Sequence, residues 1–473
     1  MLLLRMVHLS ADFPNHSFWA DDHAKYSDEG WYANAAINSV LLGHWYVPGD
    51  WAPAVVMPAW PALMTGIFHV TGVSVVAARA AEAIFSWLAL MLAWLIFRRY
   101  NSVTATWLFV LLAAASASAF FFSRLAILER PLEACALLCV LIAGSLRRES
   151  WWQQIVLGAG IVLLVLIKTT GAFLIPAILY PIWFRYRSDW REAIRPLAVT
   201  SVTAAVLFAA ERILFANHYS AAYSAFFIHD DAHAEFFGSA RKAFRLLYRG
   251  TWIDPLLWPV ACAALAISVW MRSLWGNVLW GVCTLWIVGY AAFIVYHFDG
   301  PPRYFTVLML PVFMLVAMFL SALWKNHRGT AWLVAALCVV SVSWNLWQTQ
   351  KSLRHPDYSM LSATEQIRRV IDAHPEQARL ILGHAANETS LFIAVPSIDD
   401  TNGDWSETKK LAAYQPGWFL IWNDEIPADY AEVTAQRKLV PMLSVPAFDD
   451  KARDHLQLFA IRPIDGSESG SNR

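Results

Sequence analysis

Two adjacent carboxylates stand near the start of the chain, in Tyr26-Ser27-Asp28-Glu29-Gly30-Trp31-Tyr32-Ala33-Asn34-Ala35. A carboxylate can take the proton from an attacking hydroxyl. It can equally cap a helix, because acidic side chains suit the positive end of the helix dipole. The two roles are compatible, since capping fixes where the carboxylate points. Further on, ionisable residues recur inside or beside apolar runs: Arg79 and Glu82, Arg124, Glu129 and Arg130, Lys168, Glu211 and Arg212, and Arg303. An ionisable group at membrane depth costs several kcal/mol unless paired or wet, so each marks either a structural pair or a functional site. Arg79 and Glu82 stand i,i+3 and can simply pair with each other. Glu129-Arg130 before Pro131 can be an interfacial turn. Lys168 lies between two apolar segments, which favours a functional role.

The elements that must position these residues are membrane helices. The chain is 58% hydrophobic and 15% charged, with 25 Trp and 27 Phe, far from the composition of a soluble protein. Spanning helices are expected at about Val73–Phe97, Val103–Phe122, Leu132–Leu146, Ile155–Ile167, Gly171–Phe184, Leu197–Phe215, Ile253–Met271, Val278–Tyr296, Tyr304–Trp324 and Ala331–Trp347. The breaks at Arg98-Arg99, Arg147-Arg148, Arg185 to Arg195, Arg272 and Lys325 to Arg328 are basic and alternate with less basic ones, which places Asp28 outside. The listed buried charges then all fall near the outer ends of their helices, as an outer-leaflet polar cavity requires. The exception on the outer side is Arg241, Lys242, Arg245 and Arg249. With Phe244, Leu247 and Tyr248 these form an amphipathic helix at the interface, either touching headgroups or holding a lipid phosphate. Met1–Leu9 is too short for a signal peptide and reads as the last turns of a spanning helix, so a further helix upstream is expected.

From about Gln348 the composition becomes that of a soluble α/β module. Ser362-Ala363-Thr364-Glu365 has a capping-box pattern opening a helix to about His374. Arg379–Gly383, Leu391–Val395, Gly417–Trp422, Leu439–Val445 and Leu456–Ile461 read as strands, and Pro427 opens a second helix to about Arg437. The domain plan is therefore 1–72 as the end of a first helix plus an external loop, 73–347 as the helical bundle, 348–465 as an external α/β domain and 466–473 as a disordered tail. The five cysteines all lie in apolar runs, which argues against a disulfide framework or a thiolate metal site. His229-Asp230-Asp231-Ala232-His233-Ala234-Glu235 has metal-capable types at no recognisable spacing. Lys+Arg and Asp+Glu balance at 36 each, which gives no sign of a nucleic-acid partner.

Ser27 to Ala35 resembles the first external loop of the protein O-mannosyltransferase and aminoarabinose transferase group, the polyprenyl-phosphate-sugar-dependent glycosyltransferases of GT-C fold. Gly72-Val73-Ser74 through Arg79, Ser123-Arg124-Leu125-Ala126-Ile127-Leu128-Glu129, Lys168-Thr169-Thr170-Gly171, and Pro302-Arg303-Tyr304 with Pro311 extend the resemblance in order. It implies an α-helical polytopic membrane protein with a small external α/β domain. It also implies an inverting transferase in the cell inner membrane, with the C-terminal domain periplasmic. Asp28 takes the family's acceptor-activating position and Glu29 the second acidic position. Lys168 and Arg303 match basic positions that hold the carrier phosphate. Tyr304, Arg79, Arg124, Glu129 and Arg245 are the further candidates for substrate or phosphate binding. Arg130 departs from the pattern, where an uncharged residue is expected.

The residues suit that chemistry in their own right. A phosphate leaving group is a weak base, so it needs cations rather than a general acid, while the acceptor hydroxyl needs a base. One carboxylate with Lys and Arg suffices, unlike the two-carboxylate machinery of glycosidases. The implied partners are a polyprenyl-phosphate-linked sugar, a lipid, glycan or protein acceptor, and membrane lipids. No cofactor follows from the residues, and a divalent cation stays open. The alternatives are a ligase or polymerase using a polyprenyl-diphosphate-linked oligosaccharide, and a lipid-sugar flippase. A flippase should spread its ionisable groups across the midplane and show paired halves, and neither is seen.

Overall fold

The computed structural model describes residues 2–14, 22–50, 52–216, 240–271, 273–296, 301–399, 405–423, 431–448 and 453–464. His229–Glu235, His297–Gly300, Pro427 and Gly466–Arg473 lie outside the described residues, as do the side chains of Arg241 and Lys242.

The helices, in order, are α1 (Leu2–Met6), α2 (Asp28–Leu41), α3 (Ala59–Thr71), α4 (Val75–Tyr100), α5 (Val103–Ala115), α6 (Ala117–Phe122), α7 (Glu129–Ser145), α8 (Trp151–Ile167), α9 (Ile175–Arg185), α10 (Arg191–Ala216), α11 (Ala240–Arg249), α12 (Leu257–Ser268), α13 (Val278–Tyr296), α14 (Pro302–Thr306), α15 (Met309–Asn326) and α16 (Arg328–Arg354). The C-terminal part adds α17 (Ser359–Asp372), α18 (Ala386–Ile393), α19 (Glu407–Tyr414) and α20 (Ala431–Gln436), with β1 (Ile381–Leu382), β2 (Ser397–Ile398), β3 (Trp418–Trp422), β4 (Arg437–Pro446) and β5 (His455–Pro463). Five helical stretches among the described residues are long and apolar enough to cross a membrane, and three shorter ones are equally apolar.

The chain divides into two compact units: Met1–Val7, Ala80–His218 and Asp230–His355 in the first, and His8–Arg79, Tyr219–His229 and Pro356–Arg473 in the second. The first is the helical bundle. Its centre is α15, whose side chains are nearly all buried, so the bundle closes around one apolar helix. Several polar groups inside it bond to one another, since lipid offers no partner. Asp254 Oδ2 accepts from Ser341 Oγ (2.5 Å) and Asn345 Nδ2 (2.8 Å). Asn345 Oδ1 in turn accepts from the Ala117 N–H at the start of α6 (2.9 Å). That last bond explains a departure from the sequence reading. The single span expected over Val103–Phe122 breaks at Ser116, because Asn345 and the Ser116 hydroxyl, which accepts from Ala119 N–H (3.2 Å), satisfy the first turn of a new helix.

The second unit joins the early segment to the C-terminal module. Its mixed five-stranded sheet has the order β2-β1-β3-β5-β4, with β1 parallel to β2 and β3, and β5 antiparallel to β3 and β4. Pro441 sits at a register shift in β4, where a missing N–H is tolerated. Tyr26, directly before the acidic pair, is buried in the same core as Met360, Ile367, Trp418 and Leu420. It makes edge-on contacts with Trp422 (5.6 Å) and Phe448 (5.3 Å). Two readings of this unit need correction, and two elements were unforeseen. Ser362 does not start a helix: Asp12 accepts from Ser359 Oγ (2.6 Å) and Met360 N–H (3.2 Å), so α17 begins at Ser359. Leu391–Val395 is no strand, because α18 occupies the run up to Ile393 and turns at Ala394 in the left-handed region (φ 53°). β2 and α19, the latter capped by Ser406, were not expected from the sequence.

Candidate active site

The carboxylate cluster belongs to the second unit. Ser27 is the N-cap of α2, so Asp28, Glu29 and Gly30 are its first three helical residues. Asp28 is 2% exposed, and Ser27 Oγ donates to its Oδ1 (3.4 Å). Glu29 is fully buried and engaged by Arg79. Arg79 Nε lies 2.8 Å from Glu29 Oε1 and its Nη2 lies 2.5 Å from Oε2, while Nη1 donates to the Leu9 and Ala11 carbonyls (2.8 and 2.9 Å). A two-point ion pair with further bonds to backbone holds both partners rigidly. Arg79 thus pairs with Glu29, not with Glu82 three residues on. The helix is pressed against α18 so closely that a Cβ on Gly30 would overlap the Asn387 carbonyl. From α18, Glu388 Oε2 accepts the Gly30 N–H (2.8 Å).

The cation cluster belongs to the first unit. Leu128 adopts a left-handed backbone (φ 76°), which is strained for a branched residue and sets Glu129 at the first position of α7. Lys168 is the residue at which α8 ends. Its Nζ lies 2.5 Å from Glu129 Oε1, 3.5 Å from the Ile127 carbonyl and 5.0 Å from the centre of the Tyr304 ring. Lys168 is only 3% exposed. Arg303, half-buried, also lies over the Tyr304 ring at 5.2 Å, so one aromatic ring is shared by two cations. The neighbouring carboxylates are tied up: Arg130 Nη1 bonds Glu133 Oε2 (2.6 Å), and Glu82 Oε1 accepts the Arg130 N–H (3.1 Å). Gly171, after the break, faces Leu164 and Leu132 with no room for a side chain.

The structure therefore joins Asp28, Glu29 and Arg79 in one cluster, and Glu129, Lys168, Tyr304 and Arg303 in another. Arg124 stands elsewhere in the first unit: it donates to the Val7 carbonyl (2.7 Å) and lies over Phe120, the ring that Arg5 also approaches. Arg245 is half-buried on α11, whose Phe244, Leu247 and Tyr248 are exposed as an interfacial helix requires. At the opposite ends of the same helices a cavity of about 620 Å³ is lined by Arg99, Tyr100, Arg185 and Asn277, and it includes none of the candidate residues. Among the described residues no group of three or more His, Cys, Asp or Glu could hold a metal ion. Glu388 and Glu133 were missed in the sequence. Glu388 sits in Asn387-Glu388-Thr389-Ser390, a polar run that carries no motif.

Comparison with known proteins turns on this architecture. Residues 53–214 match the family model described as dolichyl-phosphate-mannose-protein mannosyltransferase. The fold matches ArnT from Cupriavidus metallidurans over 97% of this chain and 96% of that one, at 15% identity, with TM-scores of 0.62 for the form bound to undecaprenyl phosphate and 0.63 for the apo form. The chain has the GT-C fold of these membrane transferases. The fold is similar, too, to that of the oligosaccharyltransferase AglB from Archaeoglobus fulgidus, at 12% identity, TM-score 0.52, with 89% of this chain and 68% of that one covered. It also matches the arabinofuranosyltransferase AftD from Mycobacteria at 12% identity and TM-score 0.51, over 98% of this chain and 39% of the larger one. A comparison with curated protein sequences gave no match.

Proposed function

We propose that this protein is a glycosyltransferase that moves a sugar from a polyprenyl monophosphate to a hydroxyl or amine of an acceptor outside the inner membrane, with inversion at the anomeric carbon. The family description and the undecaprenyl phosphate and dolichol phosphate named for ArnT and AglB support the donor class. Asp28 takes the proton as the acceptor oxygen or nitrogen attacks C1. The C1–O bond to phosphate breaks, and its electron pair leaves with the polyprenyl phosphate. Lys168 and Arg303 stabilise that departing charge. A dry site magnifies such an interaction. The α/β module lies on the periplasmic side in this reading, which the charge pattern of the helix breaks supports.

The observation that carries the reading is the holding of Lys168. It is a buried ammonium at a helix break, set against the Glu129 carboxylate, the Ile127 carbonyl and the Tyr304 ring. An ammonium is a point charge that can exchange Glu129 for phosphate, whereas a forked guanidinium locked on two oxygens cannot do so cheaply. The testing experiment is mass spectrometry of lipids co-purifying with the native protein and with Lys168→Ala. The expected result is a polyprenyl monophosphate, with or without its sugar, depleted about 10-fold or more in the variant. A diphosphate-linked oligosaccharide instead would move the protein to the ligase class. Equal loading of the variant would remove Lys168 from the phosphate site.

A further inference from the structure

Helix α2 is capped in an unusual way. A serine at the N-cap ordinarily accepts a hydrogen bond from the N–H of the second or third helical residue. Ser27 makes no such bond. Its hydroxyl is turned to Asp28 Oδ1 at 3.4 Å. The third N–H, that of Gly30, is taken by Glu388 Oε2 at 2.8 Å, from a residue 358 positions later in the chain. The approach needs a glycine at position 30, because any side chain there would collide with the backbone of α18 at Asn387.

We infer that Glu388 is a positioning residue for transfer: by capping the Gly30 N–H from the α/β module, it releases the Ser27 hydroxyl to orient Asp28. The inference rests on the assignment of Asp28 as the base. Glu388 does not touch the reacting atoms. It acts through the first turn of α2, and so makes the C-terminal module part of the catalytic apparatus. Its other oxygen, Oε1, has no hydrogen-bond partner among the described residues, and the side chain is 1% exposed. Burial, and then the nearby Glu29 charge, raise the Glu388 pKa well above the ordinary carboxylate range. Glutamine keeps the length of this side chain and an acceptor oxygen at its end.

The test uses the full-length protein in detergent or nanodiscs. Transfer is followed as release of undecaprenyl phosphate from a synthetic undecaprenyl-phosphate-linked hexose or pentose, and donor-site binding is measured separately with undecaprenyl phosphate alone. Glu388→Gln keeps an acceptor oxygen at the same reach and is expected to retain kcat within about 3-fold. Glu388→Asp withdraws the oxygen by one methylene, and Glu388→Ala removes it. Both should lower kcat by roughly 10- to 100-fold, as small misplacements of catalytic groups do, and leave the Kd for undecaprenyl phosphate unchanged. Ser27→Ala should lower kcat in the native background and add little to Glu388→Asp, because the hydroxyl there has already swung to the helix. Amide exchange at Gly30 should quicken in Glu388→Asp and not in Glu388→Gln. Full activity in a folded Glu388→Asp, additive losses with Ser27→Ala, or a Glu388→Gln as slow as Glu388→Asp would overturn the inference. If Glu388→Ala does not fold, the Gln and Asp pair still decides. Asp28→Asn, run alongside, tests the base itself: turnover that survives it defeats the underlying assignment and leaves the capping result standing.

Discussion

Two buried ion pairs in this protein are built from the same charge types and do different work. In Glu29–Arg79 two guanidinium nitrogens meet two carboxylate oxygens, and Nη1 donates to the Leu9 and Ala11 carbonyls. Glu129–Lys168 is held by a different geometry: Nζ meets one carboxylate oxygen at 2.5 Å, with the Ile127 carbonyl at 3.5 Å and the Tyr304 ring face nearby. The first pair fixes α2 relative to the segment that holds it. In the proposed mechanism the second presents its ammonium to the donor phosphate. Burial alone does not separate the two roles, since all four side chains are almost wholly buried. The number and directionality of the bonds do.

The comparison breaks most sharply in paired substitutions. Arg79→Ala leaves Glu29 buried and charged, and should cost about 3–5 kcal/mol of stability, read as a fall in unfolding midpoint. Arg79→Met with Glu29→Gln should recover most of that loss and bind undecaprenyl phosphate as the native protein does. The matching double change at the second pair, Lys168→Met with Glu129→Gln, should also recover stability but not binding. If both doubles bind alike, the distinction between the pairs is wrong.

A pH titration separates the second unit further. Burial, and then the Asp399 charge, push Asp50 up to about 7, against Asn34 and Asp399 N–H bonds and the Lys410 charge that favour its ionised form. A carboxyl whose folded pKa is raised binds its proton more tightly folded than unfolded. Its contribution is therefore present below pH 4 and lost as pH rises through 7. The expected decline is on the order of a few kcal/mol across that window, seen as a falling unfolding midpoint of the second unit. Asp50→Asn should flatten it, and an unchanged slope would exclude Asp50 as the cause.

Smaller effects belong to the cations alone. Lys168→Ala should weaken undecaprenyl phosphate binding about 10- to 100-fold. Arg303→Ala should weaken it by roughly 3- to 10-fold, because Arg303 is half-buried and water can partly replace it. Titration calorimetry in nanodiscs reads both, and an Arg303 effect larger than that of Lys168 would reverse their ranking.

The bundle was legible in the sequence because lipid leaves an apolar run no other backbone solution. Val278–Tyr296 was placed to the residue. The break at Ser116 was hidden, since hydropathy cannot register an Asn345 oxygen arriving from 228 positions away. The clustered charges were visible for a similar reason: each is expensive, so each had to have a partner. Which partner was not visible. Nearness along the helix suggested Arg79 with Glu82, whereas Glu82 serves the Arg130 backbone and Arg79 reaches Glu29. Tyr26, Asp12 and Glu388 show the same limit more strongly. Each binds the early segment to a module more than 300 residues distant, and no local pattern announces such a bond.

The central claim is that Asp28 supplies the base and the cation cluster supplies the donor site. Asp28→Asn is nearly isosteric and cannot accept the proton. Turnover of an undecaprenyl-phosphate-linked sugar by this variant, measured beside its Kd for undecaprenyl phosphate, tests the claim most directly. The account predicts a loss of about 10³-fold or more in turnover with the Kd unchanged. Turnover within a few fold of the native protein would contradict it.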